Sequence, residues 1–116
     1  MRTIGVDALR PVVDRHGRGV DPEQLFAAAY AACFQGALSL LAARSGIVTA
    51  GLVVDATIVL GRDPVDGLFM LTAELRVYLP GIEKRVAEEL VRNTERICPY
   101  AKLTRHGMVN VIALAS

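Results

Sequence analysis

The chain has 116 residues, 53% of them hydrophobic, and its mean hydropathy is +0.39. That length bounds it to one domain, 1–116, with little interior for so much apolar content; a core shared with a second copy, most simply a two-fold homodimer, is expected. A formal net charge of +1, scattered basic residues and an aromatic content of 5% exclude an electrostatic nucleic-acid binder and a base-stacking platform.

The start, Met1 to Gly5, has no apolar h-region, which points to the cytoplasm. Residues 3–9 read as a short strand. Residues 10–20 read as a loop, with Pro11, Gly17 and Gly19 set among Arg10, Arg15, His16 and Arg18. A helix then begins on a strong signal: Asp21 as N-cap, Pro22 at the first helical position and Gln24 completing a capping box. It is expected to run to Arg44 and to stop at Gly46. From Leu25 to Ala43 it carries no formal charge and touches the length of a membrane span, about 20 residues. Its alanine content, with Tyr30, Gln35 and Ser39, favours instead a helix buried in a dimer core. Small residues at 28, 29, 32, 36 and 37 would let another backbone come close.

Leu52, Val54, Ala56, Ile58 and Leu60 alternate with Asp55 and Thr57, the period of a strand. Gly61 to Gly67 is a turn. A second strand follows, with Phe69, Leu71, Ala73, Leu75, Val77 and Leu79 on one face and Thr72, Glu74 and Arg76 on the other. Pro80-Gly81 breaks it. Residues 82–97 form an amphipathic helix with Val86, Leu90, Val91 and Ile97 on the apolar side, and its charged run from Glu83 to Arg92 reads as a solvated face. Met108 to Ala115 reads as a last strand. The fold class is α+β, helices packed on a mainly antiparallel sheet, with 1–20 as strand and loop and 21–116 as the core.

Two cysteines carry the chemical interest. Cys33 lies mid-helix, where burial disfavours the thiolate unless an arginine or lysine comes from elsewhere in the fold. Cys98 precedes Pro99, which pushes it out of helical geometry; Pro99 can open a short helix through Tyr100 and Ala101, with Cys98 as N-cap and unpaired N–H groups pointing at its sulfur. On the residues alone the pair reads either as a thiol redox couple or as two small buried side chains. His16 and His106 would complete a Cys2His2 set, but no pair has recognised ligand spacing, so no metal is expected. There is no G-x-S-x-G and no phosphate-cradling glycine motif.

The segment Asp21-Pro22-Glu23-Gln24-Leu25-Phe26-Ala27-Ala28-Ala29-Tyr30-Ala31-Ala32-Cys33-Phe34 resembles the first cysteine motif of the OsmC/Ohr family of osmotically inducible and organic hydroperoxide resistance proteins. Ile97-Cys98-Pro99-Tyr100-Ala101, followed by Thr104-Arg105, resembles the second. Both are nearer the Ohr branch. The resemblance implies an OsmC-like intertwined homodimer and a thiol peroxidase. Cys33 would be peroxidatic and Cys98 resolving, with a disulfide between them as an intermediate. The substrates would be alkyl or lipid hydroperoxides. No cofactor is bound; an external dithiol, typically a protein-bound dihydrolipoyl group, is the reductant. Leu25, Phe26, Phe34 and Tyr100 are the expected apolar wall for the substrate.

The same resemblance marks a departure. Proteins of the Ohr type carry an initial strand segment whose arginine pairs with the peroxidatic thiolate and is held by a glutamate before the first helix. This chain begins after that segment, and the loop Arg10 to Val13 lacks the glutamate. Arg10, Arg15 and Arg18 are the candidate replacement cations. Ala101 stands where the pattern usually has serine. Two other function classes follow if the thiols are inert or turn over once: a non-catalytic dimer binding an apolar small molecule, or a cysteine-based redox sensor.

Overall fold

The computed structural model describes Val13 and residues 16–115. The strand expected at 3–9 lies outside the described residues, as do Arg10 and Arg15. The described part of the loop closes on itself through a single bridge, Val13 to Gly19.

Three helices and one hairpin follow. Helix α1 spans Pro22–Arg44. Both bonds of the capping box form: Gln24 N–H donates to Asp21 Oδ1 at 2.7 Å, and Asp21 N–H donates to Gln24 Oε1 at 3.1 Å. Ser45 caps the other end, and Gly46 turns the chain away at φ 70°. Strands β1 (Val53–Arg62) and β2 (Phe69–Tyr78) pair antiparallel from Val53↔Tyr78 to Arg62↔Phe69. The chain enters β1 beside its own exit from β2. There Gly51, at φ 79°, leaves room that a Cβ would take, only 3.0 Å from Pro80. Helix α2 spans Lys84–Ile97, capped by Glu83, whose carboxylate accepts from Arg85 N–H. Helix α3 spans Pro99–His106.

Helix α1 is long and apolar enough to cross a bilayer, and among the described residues one face of it is buried. Tyr30, Phe34, Leu38 and Ala42, each four residues apart, form one buried ridge. Against it come Leu90 of α2, Ala101 of α3 and Cys98 between those helices. The inner face of the sheet, Leu52, Val54, Ile58, Leu75 and Val77, closes the other side. On α1 only this ridge is buried. Ala28, Ala32, Gly36 and Leu40, the next row of α1, are exposed.

The last strand expected from Met108 to Ala115 is a correction. That segment is irregular, with Val109, Val111, Ile112 and Leu114 between 87% and 100% exposed. Alternating apolar residues form a strand only where a ladder partner exists, and the described sheet has two strands, paired with each other. The second helix also starts two residues later than its periodicity implies, because Glu83 serves as its cap.

Candidate active site

The two cysteines meet. Cys98 Sγ lies 3.5 Å from Cys33 Sγ, both as free thiols. Cys98 sits at the joint between α2 and α3, with its own N–H donating to Thr94 O and its O accepting from Lys102 N–H. Its extended backbone (φ −71°, ψ 119°) is what the following proline demands. That joint swings α3 back over α1. Arg105 ties α3 to α2 by a bond to Glu95 O at 3.0 Å and an ion pair at 3.6 Å.

Aromatic side chains fix α3 on α1. Phe26, Tyr30 and Tyr100 form a triangle with ring centroids 6.2 to 6.4 Å apart, two of the pairs edge-on. Tyr30 Oη is 3.2 Å from Thr104 Oγ1, which donates to Ala101 O at 2.9 Å. Neither Tyr30 nor Thr104 was expected at the site. The signal for Tyr30 was present: a tyrosine inside a charge-free helix needs a partner for its hydroxyl.

The thiols differ in access. Cys98 is fully buried, whereas Cys33 is half-buried. A reagent from solvent meets Cys33 first. Burial and the neighbouring Cys98 thiol push the Cys33 thiol up, and the backbone N–H of Tyr100 pulls it down; the net direction is up. The sequence assigned the first turn of α3 to the sulfur of Cys98. Cys98 makes no side-chain capping bond.

One turn of α1 before Cys33 runs an apolar groove of about 550 Å³, lined by Pro22, Leu25, Phe26, Ala29, Pro99, Tyr100, Leu103 and Met108; neither cysteine lines it. Three of the four expected wall residues, Leu25, Phe26 and Tyr100, lie there. The fourth does not: Phe34 is 4% exposed and packs in the core ridge, because it falls one helical turn beyond the groove. Leu103 and Met108 are lining residues the motifs did not mark. Arg18 is exposed in the loop ahead of α1. Among the described residues no cluster of His, Cys, Asp and Glu could hold a metal ion.

A family model described as OsmC-like protein matches residues 15–112. The chain belongs to the OsmC-like family. It is 40% identical over 100 residues to the organic hydroperoxide resistance protein of Xanthomonas axonopodis pv. citri (strain 306), covering 85% of this chain and 69% of that one. It is 39% identical over 109 residues to the organic hydroperoxide resistance protein OhrB of Bacillus subtilis (strain 168), covering 93% and 79%. The crystal structure of Bacillus subtilis OhrB superposes with a TM-score of 0.72 at 36% identity, over 82% of this chain and 73% of that one. The two-motif resemblance read from the sequence and the α+β fold therefore both stand.

Proposed function

We propose that this OsmC-like chain is a thiol peroxidase that reduces organic hydroperoxides to alcohols, working as a homodimer in the cytoplasm. The observation that carries the reading is a reachable cysteine, Cys33, held 3.5 Å from a fully buried one, Cys98. Relatives named for organic hydroperoxide resistance support it.

In the first step the Cys33 thiolate attacks the outer oxygen of the hydroperoxide. The O–O bond breaks, the alkoxide leaves and takes a proton as the alcohol, and Cys33 is oxidised to a sulfenic acid. In the second, the Cys98 sulfur attacks the Cys33 sulfur, water leaves and a disulfide forms. The sulfur atoms need only close from 3.5 Å to the bond length of about 2.05 Å. An external dithiol of the lipoyl type then reduces the disulfide by two exchanges and leaves as its own disulfide. The groove of Leu25, Phe26 and Tyr100 favours an alkyl or lipid substrate over hydrogen peroxide, since apolar walls reward a buried chain.

A fully effective Cys33 needs a cation, because burial holds its thiol up. Arg10, Arg15 and Arg18 remain the candidates for that role. The homodimer is supported by the exposed row Ala28, Ala32, Gly36 and Leu40 on α1, where small side chains permit a close helix crossing.

Peroxide consumption tests the reading. The purified chain is given tert-butyl hydroperoxide or hydrogen peroxide with dihydrolipoamide, and Cys33→Ser is the control. Turnover of the organic peroxide that outpaces hydrogen peroxide and vanishes in the variant is expected. A folded chain that turns over neither faster than Cys33→Ser would replace this reading with a binding role.

A further inference from the structure

Two free thiols 3.5 Å apart are also a pair of sulfur ligands, and their separation selects what can bridge them. Two bonds of about 2.3 Å, the usual zinc–sulfur length, span that distance when they meet at about 100°. A linear two-coordinate ion would need its sulfurs roughly 4.6 Å apart on the same scale. A tetrahedral ion such as zinc comes nearer in angle but requires two further ligands. Among the described residues no third His, Cys, Asp or Glu joins the pair in a cluster that could hold a metal ion. The atom that fits is therefore bent at its centre and complete with two protein ligands.

Charge narrows the choice again. Cys98 is fully buried and Cys33 half-buried, so a bridge that leaves net charge on the sulfurs is costly there. Burial also pushes the Cys33 thiol up and so favours its neutral form. A ligand that condenses with two neutral thiols and leaves a neutral product avoids that cost. Trivalent arsenic carrying one organic group behaves in this way. Its lone pair makes it pyramidal, with bond angles below the tetrahedral value, and its valences are filled by one carbon and two sulfurs.

We propose that Cys33 and Cys98 form a binding site for trivalent organoarsenicals of the type R–As(OH)2. Cys33, the reachable thiol, adds first. An As–S bond forms, an As–O bond breaks, and the thiol proton leaves with the hydroxide as water. Cys98 closes the bridge by the same exchange, and a second water leaves. Arsenic stays trivalent and neither sulfur changes oxidation state, so no oxidant or reductant takes part. The organic group lies on the Cys33 side, since Cys98 is fully enclosed. A pair bridged in this way cannot close to its disulfide. Binding needs only the two thiols in place, so it stands apart from the peroxidase reading.

The probe is phenylarsine oxide, which hydrates to phenylarsonous acid, added to the reduced full chain. Native mass spectrometry should find one phenylarsenic group per protomer with two waters lost, and both thiols should resist iodoacetamide. The second As–S bond forms within the molecule. Cys33→Ser and Cys98→Ser should therefore each weaken binding by about 100-fold or more, read by competition with dithiothreitol. Dimethylarsinous acid has one exchangeable hydroxyl and takes a single thiol. It should bind the parent weaker than phenylarsine oxide by a similar factor, a comparison that needs no variant. Two groups per protomer, a thiol still open to iodoacetamide in the complex, or equal affinity for the two arsenicals would overturn the proposal. No step uses peroxide, so a chain without peroxidase turnover can still bind, and an active chain can still fail here.

Discussion

The junction of α1, α2 and α3 and the outer end of the molecule are built from similar residues with opposite results. At the junction, Leu38, Ala42, Leu90, Thr94, Cys98 and Ala101 are at most 6% exposed. Farther out, Leu60, Leu71 and Phe69 at the far end of the hairpin are 51% to 68% exposed, and Val109, Val111, Ile112 and Leu114 in the tail are more so. Composition does not separate the two regions; coverage does. The hairpin end is exposed, and its turn is held by local chemistry instead: Asp63 and Asp66 accept from Val65 and Leu68 N–H, and Arg62 stacks 4.5 Å from the Phe69 ring while donating to Gly67 O. The cysteine pair sits on the closed side, where a sulfur can be held to within a bond length or so of its partner. The open side leaves its apolar surface exposed among the described residues.

Leu38 gives the sharpest way to break the closed side. It is fully buried in the centre of the α1 ridge. Leu38→Ala leaves a cavity that rigid neighbours fill only in part, and should cost about 3 kcal/mol. At fixed protein concentration that is roughly 10 °C in Tm, read by thermal melting followed by circular dichroism. A loss below about 1 kcal/mol would mean that the ridge is not the packed centre described. The start of α1 belongs to neither region, since Asp21 and Gln24 hold it by local bonds at an exposed site. Asp21→Ala should cost about 1 kcal/mol in the same assay, and Asp21→Asn should recover most of it, because an amide oxygen caps as well.

How much of this was legible in the sequence follows the same division. The capping box, the hairpin and the turn at Cys98-Pro99 depend on neighbours a few residues away, and each was readable from those residues. The meeting of Cys33 and Cys98 was not, because it depends on how α3 folds back over α1; the family's paired motifs supplied it. Phe34 was misjudged for a related reason. Periodicity places it on an apolar face of α1, but α1 is apolar on every face, so no polar stripe says which side is core and which is groove.

The tail yields the smallest expected effect on the chain's own fold and the most direct test of what the open side is for. Ile112 and Leu114 are 92% and 100% exposed, so charges there disturb almost no contact among the described residues. Ile112→Lys with Leu114→Lys should leave the unfolding of an isolated protomer within about 0.5 kcal/mol of the parent. If the two side chains are instead covered by a second copy, as the homodimer proposed above favours, the same pair of charges must be buried or expelled. Burying two unpaired ammonium groups is far more costly than losing two apolar side chains. Sedimentation should then show the variant falling toward the 12.5 kDa protomer while the parent stays dimeric. A variant that remains dimeric at low micromolar concentration would remove the tail from the interface. It would leave the exposed row of α1, from Ala28 to Leu40, to hold the two copies together by itself.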